Sequence, residues 1–311
     1  MPDGFVINDT SYAGEAASQF IVKAVTEAVT IDGGHIFVKD GIKKKFTIPR
    51  FDLPDDQFIQ DRAATPTPKG QMNVTGQVLD PEDYMVYIEF NPRDYEDHWF
   101  ATQLNPELID RDLPVSVESV VIQQVMKKHA KFFNKIIWNG QKTNTDVLKY
   151  FDGLIKKAML SADTIDVGSP TTLSAANIVA EMAKGYALIP DSLKYDPDMK
   201  WFMSNRTYDL YQEAQQNQTY KGADFTSRGK DTYQSMKVVR IPDFPNNVYM
   251  IAKGTADMDS NLWVGMNSQE DETNIKLAPV QNNSEMWFVK MLMKADVQIG
   301  FNEETILYGS L

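Results

Sequence analysis

The longest regular pattern of apolar and polar positions runs from Val115 to Ile137. Val117, Val121, Val125, Phe132 and Ile136 recur at steps of four or seven, while Gln124, Lys128, Lys131 and Lys135 hold a separate stripe. This spacing belongs to an amphipathic helix with one packed side and one wet side. Pro114 suits a first helical turn, Glu118 lies near the positive end of the helix dipole, and the lysines lie toward its negative end. Gly140, directly after Trp138-Asn139, reads as a left-handed stop. At 1.5 Å per residue the helix is about 34 Å long, enough to cross a domain. The pattern predicts a spine on which the rest of the fold hangs.

Upstream, the Ala-rich stretch from Gly14 to Val29 carries Phe20, Ile21 and Val25 and predicts a short helix, which Asp32-Gly33-Gly34 breaks. Gly41 to Pro49 and Tyr84 to Phe90 are β-prone and are expected to pair with each other. Between them lie Asp52-Leu53-Pro54-Asp55-Asp56 and the Pro-rich run from Ala63 to Gly70, so roughly forty residues separate the strands, beyond ordinary hairpin loops. A long two-stranded arm follows from this reading, and an isolated hairpin is marginal in water, so its partner surface is expected on another molecule. The segment from Trp99 to Leu108 reads as helical.

Past Gly140 the pattern alternates. A short helical piece follows Phe151-Asp152-Gly153-Leu154-Ile155, a capped helix is expected from Ser174 to Met182, a buried strand at Trp201-Phe202-Met203 and a helix from Tyr208 to Gln216. From Met236 strands dominate: Lys237 to Ile241, Val248 to Ala252, Leu262 to Met266, a long run from Met286 to Phe301, and Thr305 to Tyr308. No internal repeat or low-complexity block interrupts them.

Composition narrows the classes of function. With 311 residues the chain can bury a real core, and with no cysteine it excludes disulfide frameworks, thiolate zinc sites, iron–sulfur clusters and cysteine nucleophiles. No run approaches the roughly twenty apolar residues of a membrane span, and Met1-Pro2-Asp3-Gly4 lacks a basic-then-apolar export signal. A net charge of -12 argues against a surface that grips phosphate.

No motif for chemistry survives inspection. Asp257-Met258-Asp259-Ser260-Asn261 starts like a calcium loop, yet Leu262 stands where Gly is needed and Ser268 where the bidentate Glu is needed, which leaves an acidic surface turn. Gly222 to Lys230 echoes a phosphate loop, but its glycines are too far apart and Asp231 replaces the hydroxyl residue. His98 lies near Asp94 and Asp97 without a nucleophile elbow and reads as a solvated histidine. The cations Lys43, Lys44, Lys45, Arg50 and Arg62 are candidate assembly contacts, expected to meet carboxylates of a neighbour. No catalytic, cofactor or metal residue is expected.

An N-terminal arm, a long hairpin, a spine helix, an α/β region and a final run of strands, in that order, resemble the major capsid protein of tailed double-stranded DNA bacteriophages. Ile136-Ile137-Trp138-Asn139-Gly140, Phe151 to Ile155, Trp201-Phe202-Met203-Ser204-Asn205 and Asp243-Phe244-Pro245-Asn246-Asn247 are similar to local text of that family. The resemblance implies an α+β chain with the Hong Kong 97 fold. It implies an arm over 1–40, an extended loop over 41–95, a peripheral domain over 96–145 and 280–311, and an axial domain over 146–279. It implies a non-enzymatic subunit that forms pentamers and hexamers of itself, encloses DNA without sequence-specific binding and assembles in the host cytoplasm into a virion. The implied partners are a portal and scaffolding or decoration proteins, with no cofactor and no membrane. Because the arm begins almost at Met1, the scaffold is expected to be a separate protein or absent. An encapsulin-like compartment is the alternative use of the fold, and an α/β enzyme is the third reading.

Overall fold

The computed structural model describes residues 10–12, 28–52, 73–91, 115–143, 148–217, 231–267, 275–281, 286–309 and 311. Of the helix expected from Gly14 to Val29 only the last two residues are described; the helix expected over 99–108, His98, and the loop 222–230 lie outside the described residues. In chain order the elements are β1 (Thr10–Tyr12), α1 (Val29–Asp32), β2 (Phe37–Lys39), β3 (Phe46–Asp52), β4 (Asn73–Leu79), β5 (Glu82–Phe90) and α2 (Val115–Asn139). Then come α3 (Leu154–Leu160), β6 (Ile165–Asp166), α4 (Ile178–Ala187), β7 (Met199–Ser204), α5 (Asn205–Gln216), β8 (Thr232–Tyr233) and β9 (Met236–Ile241). The chain closes with β10 (Tyr249–Lys253), β11 (Leu262–Asn267), β12 (Ile275–Pro279), β13 (Trp287–Ile299) and β14 (Ile306–Tyr308). The chain is α+β, and its strands fall into two six-stranded sheets and one two-stranded ribbon.

The long strand β13 is the axis of the first sheet. It pairs antiparallel with β12 (Leu277 opposite Val289), with β11 (Val264 opposite Val297) and with β5 (Ile88 opposite Val289). Alternate residues from Trp287 to Ala295 are buried, as a strand with one covered face requires. Two expectations are corrected here. The run Tyr84 to Phe90 does not pair with β3: it joins β13, and the return strand of the ribbon is β4, with Ile48 opposite Gln77. The second concerns partners alone and leaves the domain bounds as expectations from the resemblance: β11 and β12 join this first sheet, whereas β14 lies in the second.

The second sheet runs β6-β14-β10-β7-β9-β8. On it pack α4 and α5 through Ile178, Met182, Tyr208 and Tyr211, around a center of Trp201, Tyr249 and Tyr308. Ser204 caps α5, its hydroxyl accepting from the Thr207 amide at 3.0 Å, a good reason for the helix to start at Asn205. The expected cap at Ser174 is displaced: α4 starts at Ile178, and the Asn177 side chain instead accepts from the Ser174 amide at 2.7 Å.

The spine α2 lies against the first sheet. Its fully buried side is Ile122, Met126, Phe133, Ile136, Ile137 and Trp138, while Gln124, Lys128, Lys131 and Lys135 are exposed as expected. Phe132, placed by sequence on the packed stripe, is only half-buried, and its neighbor Phe133 is the core residue. Gly140 is also not a left-handed stop. It is absent from the positive-φ glycines, and a Cβ there would lie 2.3 Å from the Phe151 carbonyl oxygen. The glycine is demanded by close approach: Gly153 N donates to Gly140 O at 2.9 Å, and a Cβ on Gly153 would stand 2.6 Å from the Trp138 oxygen.

Candidate assembly surface

The segment leading into β2 is bound into the body through the spine. Asn134 Oδ1 accepts from the Thr30 hydroxyl at 2.6 Å and the Thr30 amide at 3.1 Å, and Trp138 Nε1 donates to the Thr30 oxygen at 2.9 Å. Asn134 Nδ2 donates in turn to the Pro242 carbonyl at 3.0 Å. The buried polar atoms of this knot are paired inside, so Asn134 serves a structural end on the buried face of the helix. The residues 28–39 of the expected arm are thus part of the core, with Ala28 and Ile36 both at 1% exposure and β2 parallel to β11.

Among the described strands, β3 and β4 pair only with each other, as a two-stranded ribbon. Seven residues a side make it about 23 Å long. Its root is apolar: Ile48 and Leu79 pack with Ile42 and Trp263, flanked by Phe37 and Phe46. Phe37 meets the Trp263 ring edge-on at 4.6 Å between centroids. The glycine at 265 opens room for this root, since a Cβ there would come within 2.8 Å of Ile42 Cδ1 and 3.4 Å of Leu79 Cδ1.

On β5, Met85 and Tyr87 are exposed on one face of the strand and Ile88 on the other; Tyr87 stacks on Phe288 at 5.6 Å, and its hydroxyl donates to Glu89 at 2.7 Å. On the inward side Tyr84 meets His129 of the spine, hydroxyl to Nε2 at 3.1 Å with the rings stacked at 5.9 Å. Burial pushes the Tyr84 hydroxyl well above its ordinary range and holds His129 down at about 4, so both are neutral.

Lys43, Lys44 and Lys45 are exposed in the segment between β2 and β3, Arg50 is in β3 opposite Thr75, and Arg62 lies outside the described residues. Lys45 pairs within its own chain, 3.1 Å from Asp80, with both side chains largely exposed. The sequence reading puts Ile42 and Trp263 in separate strands and passes over Leu79, so it does not bring the three together at the ribbon root. The Asp257 to Asn261 turn is half surface: Asn261 is buried and its Nδ2 donates to the Phe301 carbonyl at 2.7 Å. Among the described residues no three His, Cys, Asp or Glu side chains stand together as a metal site would need. No described helix is long and apolar enough to cross a membrane.

Solved structures share this architecture over the length of the chain. A chain of the satellite phage P4 procapsid superposes with a TM-score of 0.66 at 12% identity, covering 99% of this chain and 93% of that one. The fold is the Hong Kong 97 capsid fold. The capsid of an empty GTA particle matches it with a TM-score of 0.60 at 9% identity, over 91% of this chain and 90% of that one. A virus-like particle from Pyrococcus furiosus matches with a TM-score of 0.53 at 9% identity, over 95% and 99%. No protein-family model and no curated protein matches the sequence. At these identities the likeness is one of fold, carried by the order and pairing of elements rather than by shared side chains.

Proposed function

We propose that the chain is a major capsid protein, many copies of which close as pentamers and hexamers into an icosahedral phage head around double-stranded DNA. The observation that carries this reading is the likeness to a phage procapsid chain over nearly the whole of both chains. The physical case agrees with it. Closed shells need the same directional contacts repeated around symmetry axes, and a ribbon about 23 Å long, rooted in the body at one end only, offers such a contact. In this reading 41–95 is the extended loop, 96–145 with 280–311 the peripheral domain and 146–279 the axial domain, with strands exchanged between them. Lys43, Lys44, Lys45, Arg50 and Arg62 would supply charge at neighbor contacts, where rim cations set register and encounter rate more than affinity. A portal and separate scaffolding or decoration proteins complete the partners, and assembly takes place in the host cytoplasm. The role is structural, without catalysis.

An encapsulin-like compartment is the second reading, favored by the likeness to the virus-like particle. Electron microscopy of the purified protein tests the first claim: closed shells are expected, and a subunit that stays monomeric at every concentration overturns it. Contents separate the two readings. Shells recovered from the producing cell with packaged DNA support the phage head, and shells holding a protein cargo support the compartment.

A further inference from the structure

The ribbon leaves the body through a short joint, since only Asp80 and Pro81 separate β4 from β5. Three elements converge beneath it. Asp296 of β13 has a side chain at 6% exposure, and its Oδ1 receives Lys157 Nζ of α3 at 2.8 Å. Its Oδ2 accepts the Asp80 backbone amide at 2.9 Å. Lys157 Nζ also donates to the Val297 carbonyl, which fixes its position along β13. Taking two charges out of water is costly, so this pair needs a reason beyond stability. The other polar ties at the joint are weaker: the Lys45–Asp80 pair is exposed, and Gln298 reaches Gln77 at 3.2 Å.

We propose that Asp296 is the positioning residue for the ribbon: by gripping the Asp80 amide it fixes the angle at which β3 and β4 leave the body. The apolar root, Leu79 and Ile48 against Ile42 and Trp263, is held by non-directional burial, which sets no angle by itself. A directional bond from a carboxylate locked by Lys157 does. Where the shell reading holds, this angle sets how a neighbor is engaged and so the curvature of the assembly. The grip itself is a property of the single subunit and stands or falls separately.

The chain has no cysteine, so spin labels attach only where cysteines are introduced. Asn73→Cys at the outer end of the ribbon and Tyr195→Cys on an exposed loop report the ribbon angle by electron–electron distance measurement on the unassembled full chain. In this background Lys157→Met with Asp296→Leu removes both charges together and leaves the Asp80 amide without its acceptor. Lys157→Met with Asp296→Asn returns an acceptor oxygen to the same place. The leucine variant is expected to give a broadened, shifted distance distribution and the asparagine variant one as narrow as the parent. Equal distributions in the two variants overturn the proposal, whether both are narrow or both broad. Hydrogen exchange on the unsubstituted protein reads the same grip even where the leucine variant fails to fold: the Asp80 amide is expected to exchange slowly, and exchange at the rate of open amides overturns it. Shells of unchanged diameter from the leucine variant would remove the link to curvature while leaving the grip to the distance measurement. A parent chain that never forms shells would count against the function alone.

Discussion

Phe132 and Phe133 are adjacent, yet only one carries the fold. The stripe read from sequence reaches Phe132 by a step of seven from Val125 and passes over His129, whereas two steps of four from Val125 lead through His129 to Phe133; at 3.6 residues per turn the two neighbors point about 100° apart. The observed face alternates threes and fours through Ile122, Met126, His129, Phe133 and Ile136, and two polar residues, His129 and Asn134, sit within it. Those two hid the true phase, because a sequence reading gives polar residues to water. Phe133→Ala is therefore expected to cost about 3–5 kcal/mol, Phe132→Ala less, and Lys131→Ala about half a kcal/mol or less. Urea melts of the unassembled variants check the order. His129 itself makes a pH prediction. Its folded pKa of about 4 lies below the ordinary 6.5, so the unfolded chain takes up the proton first. Stability is full above 6.5, falls as the pH drops from there toward 4 and then levels, by an amount on the order of roughly 3 kcal/mol from this residue. The His129→Gln variant should lack that share of the acid loss, and parallel stability curves for the two proteins between pH 7 and 4 would refute the assignment.

At the scale of elements, what could be read locally was read and what depends on distant partners was not. The spine, β7, α5, β13 and β14 fall close to where hydrophobic periodicity puts them. The partner of the Tyr84 to Phe90 strand does not, because period-two alternation identifies a strand without saying which strand it joins. The true return strand, Asn73-Val74-Thr75-Gly76-Gln77-Val78-Leu79, is half polar and contains a glycine, so it reads weakly beside the aromatic run that follows it. The ribbon root was illegible for the same reason: Ile42, Leu79 and Trp263 meet across nearly the whole sequence, as do Asp80 and Asp296. Helix endings show a subtler limit. Glycine after a helix usually marks a left-handed cap, but Gly140 is there so that the Phe151 to Gly153 backbone can cross it. Gly153→Ala puts a methyl against backbone atoms of Trp138 and Gly140, which cannot rotate away as a side chain would. The expected loss is at least the roughly 1–3 kcal/mol of ordinary overpacking, read as a lowered melting temperature with α2 and α3 loosened together in hydrogen exchange. A neutral effect would mean that the crossing is looser than the structure has it.

For the whole molecule, the acidic balance and the ribbon bear on the same question under the proposed capsid function, how an acidic chain would enclose nucleic acid. A net charge of -12 offers few cations for phosphate, so the shell is expected to hold DNA by closing around it rather than by gripping it. Closure then rests on contacts between subunits, and the ribbon is the element least needed by its own chain. Its root is buried with Trp263, but the tract 53–72 between β3 and β4 holds three prolines and little apolar residue of the kind that builds a core: Leu53, Phe58, Ile59 and Met72 among Asp, Thr, Gln and Lys. Replacing 54–71 with a two-residue Asn-Gly turn leaves β3, β4 and the Asp80 joint in place and shortens only the outer end, a connection that suits antiparallel strands. The shortened protein should keep the melting temperature of the parent subunit, since nothing removed lies in the described core. It should nevertheless fail to form closed shells under conditions where the parent does. Two measurements divide the outcomes. A lowered melting temperature would show that 54–71 packs on its own body and is no arm, and normal shells from a stable variant would show that closure depends on other surfaces, with the exposed Met85, Tyr87 and Ile88 of β5 the next to test.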